Sequence, residues 1–473
     1  MARVRQGLAA VALAIAIVAP ARADDSDLER RIEALEKEIR LLKDEFRASR
    51  QKTDAAIPSG PRMTMKGPAP TFESEDGRYS LSITGRVNLD VALYDQQAAS
   101  GPTDTRLVPD LNSGSNLRRA RLGVRGRIDG DWRYRLEIDG GGTPPGGFGL
   151  PFAYLSYVGW EPLNLTLGKA FAPNGFERNV AALDTAFIER SIATDLAVAN
   201  GAGARSGLRA VLRGERWYAG AGLYGAGDGV EADDEQISVN GRLVVLPIKT
   251  DRALLHLGAS GWYIPEPDQD GDERLRWRVA PEIRVDSNAL IDAQSNALLA
   301  NDNAFMWGLE LAGRYGPFWA QGEYFRFGMD QTPDPAEALA LAPDLAYGAY
   351  YVSAGYVLTG EARPYDIGRA RWLRVRPADP FSLSKGHWGA WEIAARYSYA
   401  DLDDEANTFS NGVLVGTRGG RERNWAAAVN WYVNHSVRFM FNYINVDVDR
   451  LNAAGLQIGD SFDVYALRMQ VVW

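Results

Sequence analysis

From about Tyr79 to Trp473 the chain alternates apolar and polar side chains one by one. In residues 424–445, Trp425, Ala427, Val429, Trp431 and Val433 alternate with Asn424, Ala426, Ala428 and Asn430. After a short "NHS" turn, Phe439, Phe441 and Tyr443 alternate with Arg438, Met440 and Asn442. Residues 391–399 set Trp391, Ile393, Ala395, Tyr397 and Tyr399 against Glu392, Arg396 and Ser398. The last run, from about Phe462, sets Tyr465, Leu467, Met469, Val471 and Trp473 against Arg468 and Gln470. A period of two belongs to strands, whose side chains leave opposite faces in turn. The pattern predicts an all-β unit of consecutive antiparallel hairpins.

The stretch "RRARLGVRGRIDGDWRYRLEID" (118–139) sharpens the split. Arg119, Arg121, Arg125 and Arg127 fall on one face, and Ala120, Leu122, Val124 and Ile128 on the other. After the turn, Arg133, Arg135, Glu137 and Asp139 share a face opposite Trp132, Tyr134, Leu136 and Ile138. A three-residue "DGD" loop pairs Ile128 with Trp132 and Arg127 with Arg133, so that like faces coincide. A two-residue loop would mix them.

Two architectures alternate in this way. A soluble sandwich buries the apolar face in a core, whereas a membrane barrel turns it to lipid and its polar face to a lumen. Aromatics at strand ends (Trp132, Trp160, Trp391, Tyr399, Trp425, Trp473) suit an interfacial girdle. The last residue is aromatic and ends a full amphipathic strand. Four arginines on one strand face would be very costly in a dry core, while a wet lumen removes that objection. At roughly 25 residues per strand and connection, residues 79–473 make about 16 strands, with 14 or 18 as the neighbouring solutions. The expected fold is a transmembrane antiparallel β-barrel of about 16 strands, with tight turns at one end and longer loops at the other.

Three segments precede it. Residues 1–23 combine Arg3 and Arg5, an apolar run from Leu8 to Ala19 and a small-residue "ARA" site, the pattern of a cleaved signal peptide. The run is too short to span a bilayer. In residues 24–52, Leu28, Leu35 and Leu42 recur every seven positions, as do Ile32, Ile39 and Phe46. These read as the d and a positions of a short coiled-coil helix; a lone amphipathic helix packed on its own domain is the alternative. Residues 53–78 are a Pro/Gly-rich linker.

Composition narrows the chemistry. The chain has no cysteine, so disulfides and thiolate metal sites are excluded. The net charge of -9 gives no global case for nucleic-acid binding. Any attraction for anions must come from local placement. Only seven of the 52 basic residues are lysines. His256, His387 and His435 lack metal-ligand spacing. "GAGARSG" (201–207) is not a dinucleotide loop, and neither a G-x-S-x-G nor a Walker motif occurs. No enzyme site emerges and no cofactor is expected.

The matching segments "LGKAFAPNGFER", "TAFIERS", "YYVSAGYVLTGEARPY" and "HWGAWEIAARYSY", with the 118–139 and 424–445 stretches, follow one another in order. On these the mature chain resembles the phosphate-selective porin O and P family over nearly all of 24–473. The resemblance implies a 16-stranded, homotrimeric channel in the outer membrane of a Gram-negative bacterium, surrounded by its lipid. It implies inward-folded loops and basic side chains that select phosphate or polyphosphate. The family's phosphate channels line their constriction largely with lysines, whereas this chain has only Lys66, Lys169, Lys249 and Lys385 beyond the coiled coil. Arginine suits bidentate oxyanion contacts, but conduction needs sites weak enough to let the ion leave.

Three sets of residues are candidates for selectivity. The first is the lumen ladder of Arg119, Arg121, Arg125, Arg127, Arg133 and Arg135, whose alternative role is to pair with inward acids such as Glu137, Asp139, Glu323 and Glu392. The second is the basic segment 362–385, with Arg369, Arg371, Arg374 and Arg376, expected beside a mouth, or else as a solvated or lipopolysaccharide-facing loop. The third is the long connection 172–207, with Arg178, Arg190 and Arg205, which its length and the apolar "LDTAFI" place inside the bore. The expected function is passive diffusion of small anions such as phosphate. The alternatives are a general porin whose charges cancel, and a structural or envelope-tethering barrel that works through its coiled coil.

Overall fold

The structure, a computed structural model, describes residues 33–45, 47, 60–65, 67–96, 109–142, 148–225, 236–267, 274–333, 339–452 and 454–473. The chain divides into two compact units, Met1–Gly60 and Pro61–Trp473. In the first, residues 33–45 form helix α1, with every described side chain exposed. Leu35, Ile39 and Leu42, the apolar seam read from the heptads, are all solvent-exposed. The signal peptide expected at 1–23 lies outside the described residues, as do the ends of the expected coiled coil.

The second unit contains sixteen long strands: β1 (Ser80–Asp95), β2 (Gly114–Ile128), β3 (Trp132–Asp139), β4 (Gly149–Trp160), β5 (Leu163–Phe171), β6 (Ala204–Arg213), β7 (Trp217–Tyr224), β8 (Ser238–Lys249), β9 (Ala253–Ile264), β10 (Leu299–Tyr315), β11 (Phe318–Pro333), β12 (Leu345–Val357), β13 (Ala390–Asp404), β14 (Thr417–Tyr432), β15 (Val437–Asp449) and β16 (Ser461–Val472). Each pairs antiparallel with the next. β16 pairs with β1, from Asp463↔Asp95 to Val472↔Arg86, and closes the barrel. Closure removes every free edge, which is what a spanning sheet requires. At the seam, Trp473 N–H donates to the Gly85 carbonyl at 3.1 Å. A Cβ at Gly85 would lie 1.9 Å from the Trp473 ring, so only glycine admits that ring. Before β1, a hairpin of Arg62–Thr64 and Thr71–Glu73 adds to its first residues, with Thr71 opposite Ser82.

The turn at 129–131 has the three-residue register, with Ile128↔Trp132 and Arg127↔Arg133. The apolar face points outward: Leu122, Leu136, Leu167, Leu243, Leu309 and Leu467 are all exposed. Lipid, not water, suits a surface of this kind. Outward aromatics flank the short turns, among them Trp132, Trp160, Trp217, Tyr315, Phe318 and Trp391. A second set, including Trp307, Tyr324, Tyr350, Tyr399 and Trp425, sits farther along the strands. Trp391 and Tyr399 lie eight residues apart on one face; at about 3.3 Å per residue and a tilt near 40° this is roughly 20 Å of apolar height.

The interior is divided. Residues 172–203 and 274–295 fold inward from the end that carries the longer connections. The first carries helices α2 (Phe176–Asn179) and α3 (Ile192–Ala197), and the second a small hairpin of Arg276–Val279 with Ile291–Gln294. Residues 358–389 enter from the opposite end, where the other connections span only a few residues. Phe187, Ile192, Trp277, Ile283, Phe327 and Tyr347 belong to one dry cluster that fills the lumen along the walls of the later strands. Trp372 and Ala370 of 358–389 pack with Phe176, Val244 and Leu246 in a second. Residues 363–375 of the basic segment expected beside a mouth are therefore inside the barrel, whereas 378–385 stay exposed or half-buried, with Phe381 against Trp388 and Trp431. The segment's apolar residues Tyr365 and Trp372 pack inside with Phe176, and Val375 with Val357 and Tyr432.

Candidate functional site

What the inserted segments leave open runs along β1–β7. Two cavities lie here. A vestibule of about 830 Å³ opens among the short turns and is bounded by the N-terminal hairpin at Met65 and Gly67–Ala69, by Ser436 and by Trp473. A chamber of about 510 Å³ lies deeper. Eight arginines and two carboxylates line the vestibule, and thirteen arginines and two carboxylates the chamber. Arg86, Arg121, Arg135, Arg369, Arg371 and Ala181 line both, so they mark the neck between them.

Strand register builds the arginine wall. It sets Arg86 opposite Arg121, Arg125 opposite Arg135, and Arg127 opposite Arg133. Like charges directly opposed on one face destabilise a sheet. Toward the longer loops they are compensated. Arg121 Nε donates to Asp139 at 2.6 Å and its Nη1 to Glu137 at 3.0 Å. Arg135 Nη2 donates to Glu137 at 2.6 Å. Arg119 meets Glu189 of the 172–203 segment at 3.4 Å. Toward the short turns they are not. Arg125, Arg127 and Arg133 have no carboxylate within salt-bridge range among the described residues.

The expected loop arginines divide in the same way. Arg371 Nη1 binds Asp184 at 3.0 Å, and the Arg374 backbone N–H donates to the same carboxylate at 3.2 Å. Asp184 thus joins the two segments that enter from opposite ends. Arg190 donates to the carbonyls of Glu177, Arg178 and Val180, so it braces its own loop. Arg205 donates to the carbonyls of Gly225 and Asn200 at the start of β6 and lines neither cavity. Arg178 lines the chamber, with its guanidinium 4.2 Å from the Phe171 ring centroid. Arg369 and Arg376 are exposed to the cavities with no carboxylate in range among the described residues.

Four wall residues escaped the sequence reading. A bulge opposite Asn88/Leu89 places Arg118 beside Arg119, so both reach Glu189, with Arg118 Nε at 2.9 Å. Nothing in the alternation marks that extra residue. Arg86, Arg209 and Arg213 do follow the alternation: Arg86 shares a face with Asn88 and Asp90, and Arg209 and Arg213 continue the spacing of Arg205.

The crossing segment is held at both ends. Glu323 of β11 accepts the backbone N–H groups of Phe176 and Glu177. At the far wall Glu189 takes Arg118, Arg119 and, at 2.7 Å, Arg468 of β16. Burial alone would raise the Glu189 carboxyl; the surrounding guanidinium groups outweigh it and hold it well below the usual carboxylate range. Arg242 of β8 fixes 358–389 by donating to the carbonyls of Arg369 and Ala370 at 3.1 and 2.9 Å. His256 of β9 shares a 2.7 Å hydrogen bond with Tyr365.

Residues 82–473 match the sequence profile of "phosphate-selective porin O and P". The chain belongs to that family. The porin is 27% identical over 424 residues to Porin O of Pseudomonas aeruginosa, covering 84% of this chain and 89% of that protein. It is 29% identical over 409 residues to an uncharacterized protein of Caulobacter vibrioides, covering 84% and 74%. Among solved structures, an anion-selective porin from Comamonas acidovorans superposes with a TM-score of 0.50 at 13% identity, over 84% of this chain and all of that one. That likeness concerns the fold, a closed 16-stranded barrel. Like the family, this porin is a protein of the Gram-negative outer membrane.

Proposed function

We propose that the porin passes small hydrophilic anions by passive diffusion along the β1–β7 wall, with phosphate or polyphosphate as the leading permeants, and that it performs no reaction on them. The observation that carries this is the set of unpaired arginines that line the two cavities, Arg125, Arg369 and Arg376 around the vestibule and Arg133 in the chamber. Uncompensated like charges on a low-dielectric wall raise the local anion concentration and exclude cations. The neck, with Arg86, Arg121, Arg135, Arg369 and Arg371, is the proposed selectivity element, and bidentate guanidinium contacts suit an oxyanion there. The family name supports phosphate as the oxyanion. The homotrimer implied by the resemblance to the family is part of the proposal; native electrophoresis checks it, and a monomer would reject it. We further propose that 1–23 is removed on export and that 24–52 forms a coiled coil, a reading supported by the bare apolar stripe on α1.

The test is the reversal potential in a salt gradient across a planar bilayer. An anion-selective pore gives a potential of the anion-favouring sign, and added phosphate blocks its chloride current. Cation preference would defeat the proposal. The dry packing against the later strands favours a second reading, a plugged barrel that tethers the envelope. A complete lack of conductance would select it.

A further inference from the structure

We propose that the chamber is a binding site for organic anions with a flat apolar body, such as aryl carboxylates and aryl phosphates; this rests on the anion-conducting reading above. The vestibule and the chamber differ in what accompanies their arginines. In the chamber, β4–β7 contribute Phe152, Tyr154, Val158, Phe171, Val211 and Tyr218 to the wall. Phe152 and Phe171 lie 5.0 Å apart, edge to face. Each carries a guanidinium: Arg135 sits 3.9 Å from the Phe152 centroid and Arg178 4.2 Å from that of Phe171.

A guanidinium stacked on a ring keeps its N–H edge free for an anion in its own plane. The Arg178 edge is not used by the protein. Its Nε is buried without an acceptor, and the side chain makes no hydrogen bond or ion pair among the described residues. Arg133 and Arg213 line the same chamber and are likewise without a carboxylate in range among the described residues. Inorganic phosphate gains from donors on all sides and gains nothing from rings and methyl groups. An aryl carboxylate places its oxygens at the guanidinium edge and its ring against the aromatic wall, so both halves of the lining are used. A volume of about 510 Å³ lies within the range of small-molecule sites and far exceeds what one inorganic phosphate fills.

The experiment uses the full-length porin in planar bilayers carrying chloride current. Half-blocking concentrations are measured for two matched pairs, acetate with benzoate and methyl phosphate with phenyl phosphate. The aryl member of each pair is expected to block at a concentration about tenfold lower. Phe171→Ala and, separately, Tyr154→Ala should abolish that advantage. Equal half-blocking concentrations within each pair, measured on the unaltered protein, would overturn the proposal and leave the rings as mere shelves for the arginine planes. So would an aryl advantage that survives both substitutions. A cation-favouring reversal potential in chloride alone would overturn the anion reading as well, and is read before any blocker is added.

Discussion

The wall of β1–β7 and the wall of β8–β16 face each other across one lumen, and both are rich in arginine. They use it oppositely. On the later wall, Arg242 meets Glu310 at 2.7 Å and Arg468 meets Asp90 at 2.6 Å, each with both side chains completely buried. Arg396 is bound by Glu177 and Glu282 in the same dry surroundings. On the earlier wall Arg119 is likewise buried and bound to Glu189, but the guanidinium groups nearest the short turns stand in an open passage, most of them without a carboxylate in range among the described residues. A buried charge must be paired and hydrogen-bonded, whereas a hydrated one can be left bare to act on a passing ion. The contrast therefore separates arginines that hold the inserted segments from arginines that face the permeant.

Substitutions can break this contrast, and the largest effect belongs to the dry wall. Arg468→Ala strands Asp90, takes one of three guanidinium partners from Glu189 and should lower stability by about 3–5 kcal/mol, read from denaturant unfolding in lipid vesicles. A loss below about 1 kcal/mol would mean that the pair is not buried as described. Glu310→Gln leaves Arg242 and His256 without their acid and should cost about 2–3 kcal/mol. Because Arg242 also grips the Arg369 and Ala370 carbonyls, single-channel traces of this variant should show added open-state noise; quiet traces with native stability would speak against the anchor. On the wet wall the readout changes. Arg125→Glu combined with Arg127→Glu should lower the anion-to-cation permeability ratio about tenfold, or about 1.4 kcal/mol; an unmoved reversal potential would clear both residues of a role. Arg133→Ala should be the mildest for folding, within about 0.5 kcal/mol of the parent, while still reducing anion conductance. A large destabilisation there would erase the distinction between the two walls.

The barrel itself was legible because its pattern is local. Alternation identified the lipid face from Leu122 to Leu467, and the requirement that faces coincide chose the three-residue turn at 129–131. The connection 172–207 betrays its inward course through its length and an apolar content that no solvated surface loop needs. The rest depended on partners remote in sequence. Arg119 and Arg125 look alike in the stretch 118–139, yet Glu189 reaches only the first of them, from seventy residues away. The bulge that turns Arg118 inward leaves no mark on the alternation. The segment 362–385 reads as a basic loop beside a mouth because its six basic residues face only Asp366 and Asp379. What draws it inside is the burial of Trp372 against Phe176 and the carboxylate of Asp184.

The seam between the first and last strands has a consequence for biogenesis. β16 both seals the cylinder and delivers Arg468 to Asp90 and Glu189. A barrel zipped shut with 172–203 still outside would trap three guanidinium groups without their shared acid, and would hold together poorly. Correct sealing and correct threading are thus selected in a single step, at the sixteenth stave.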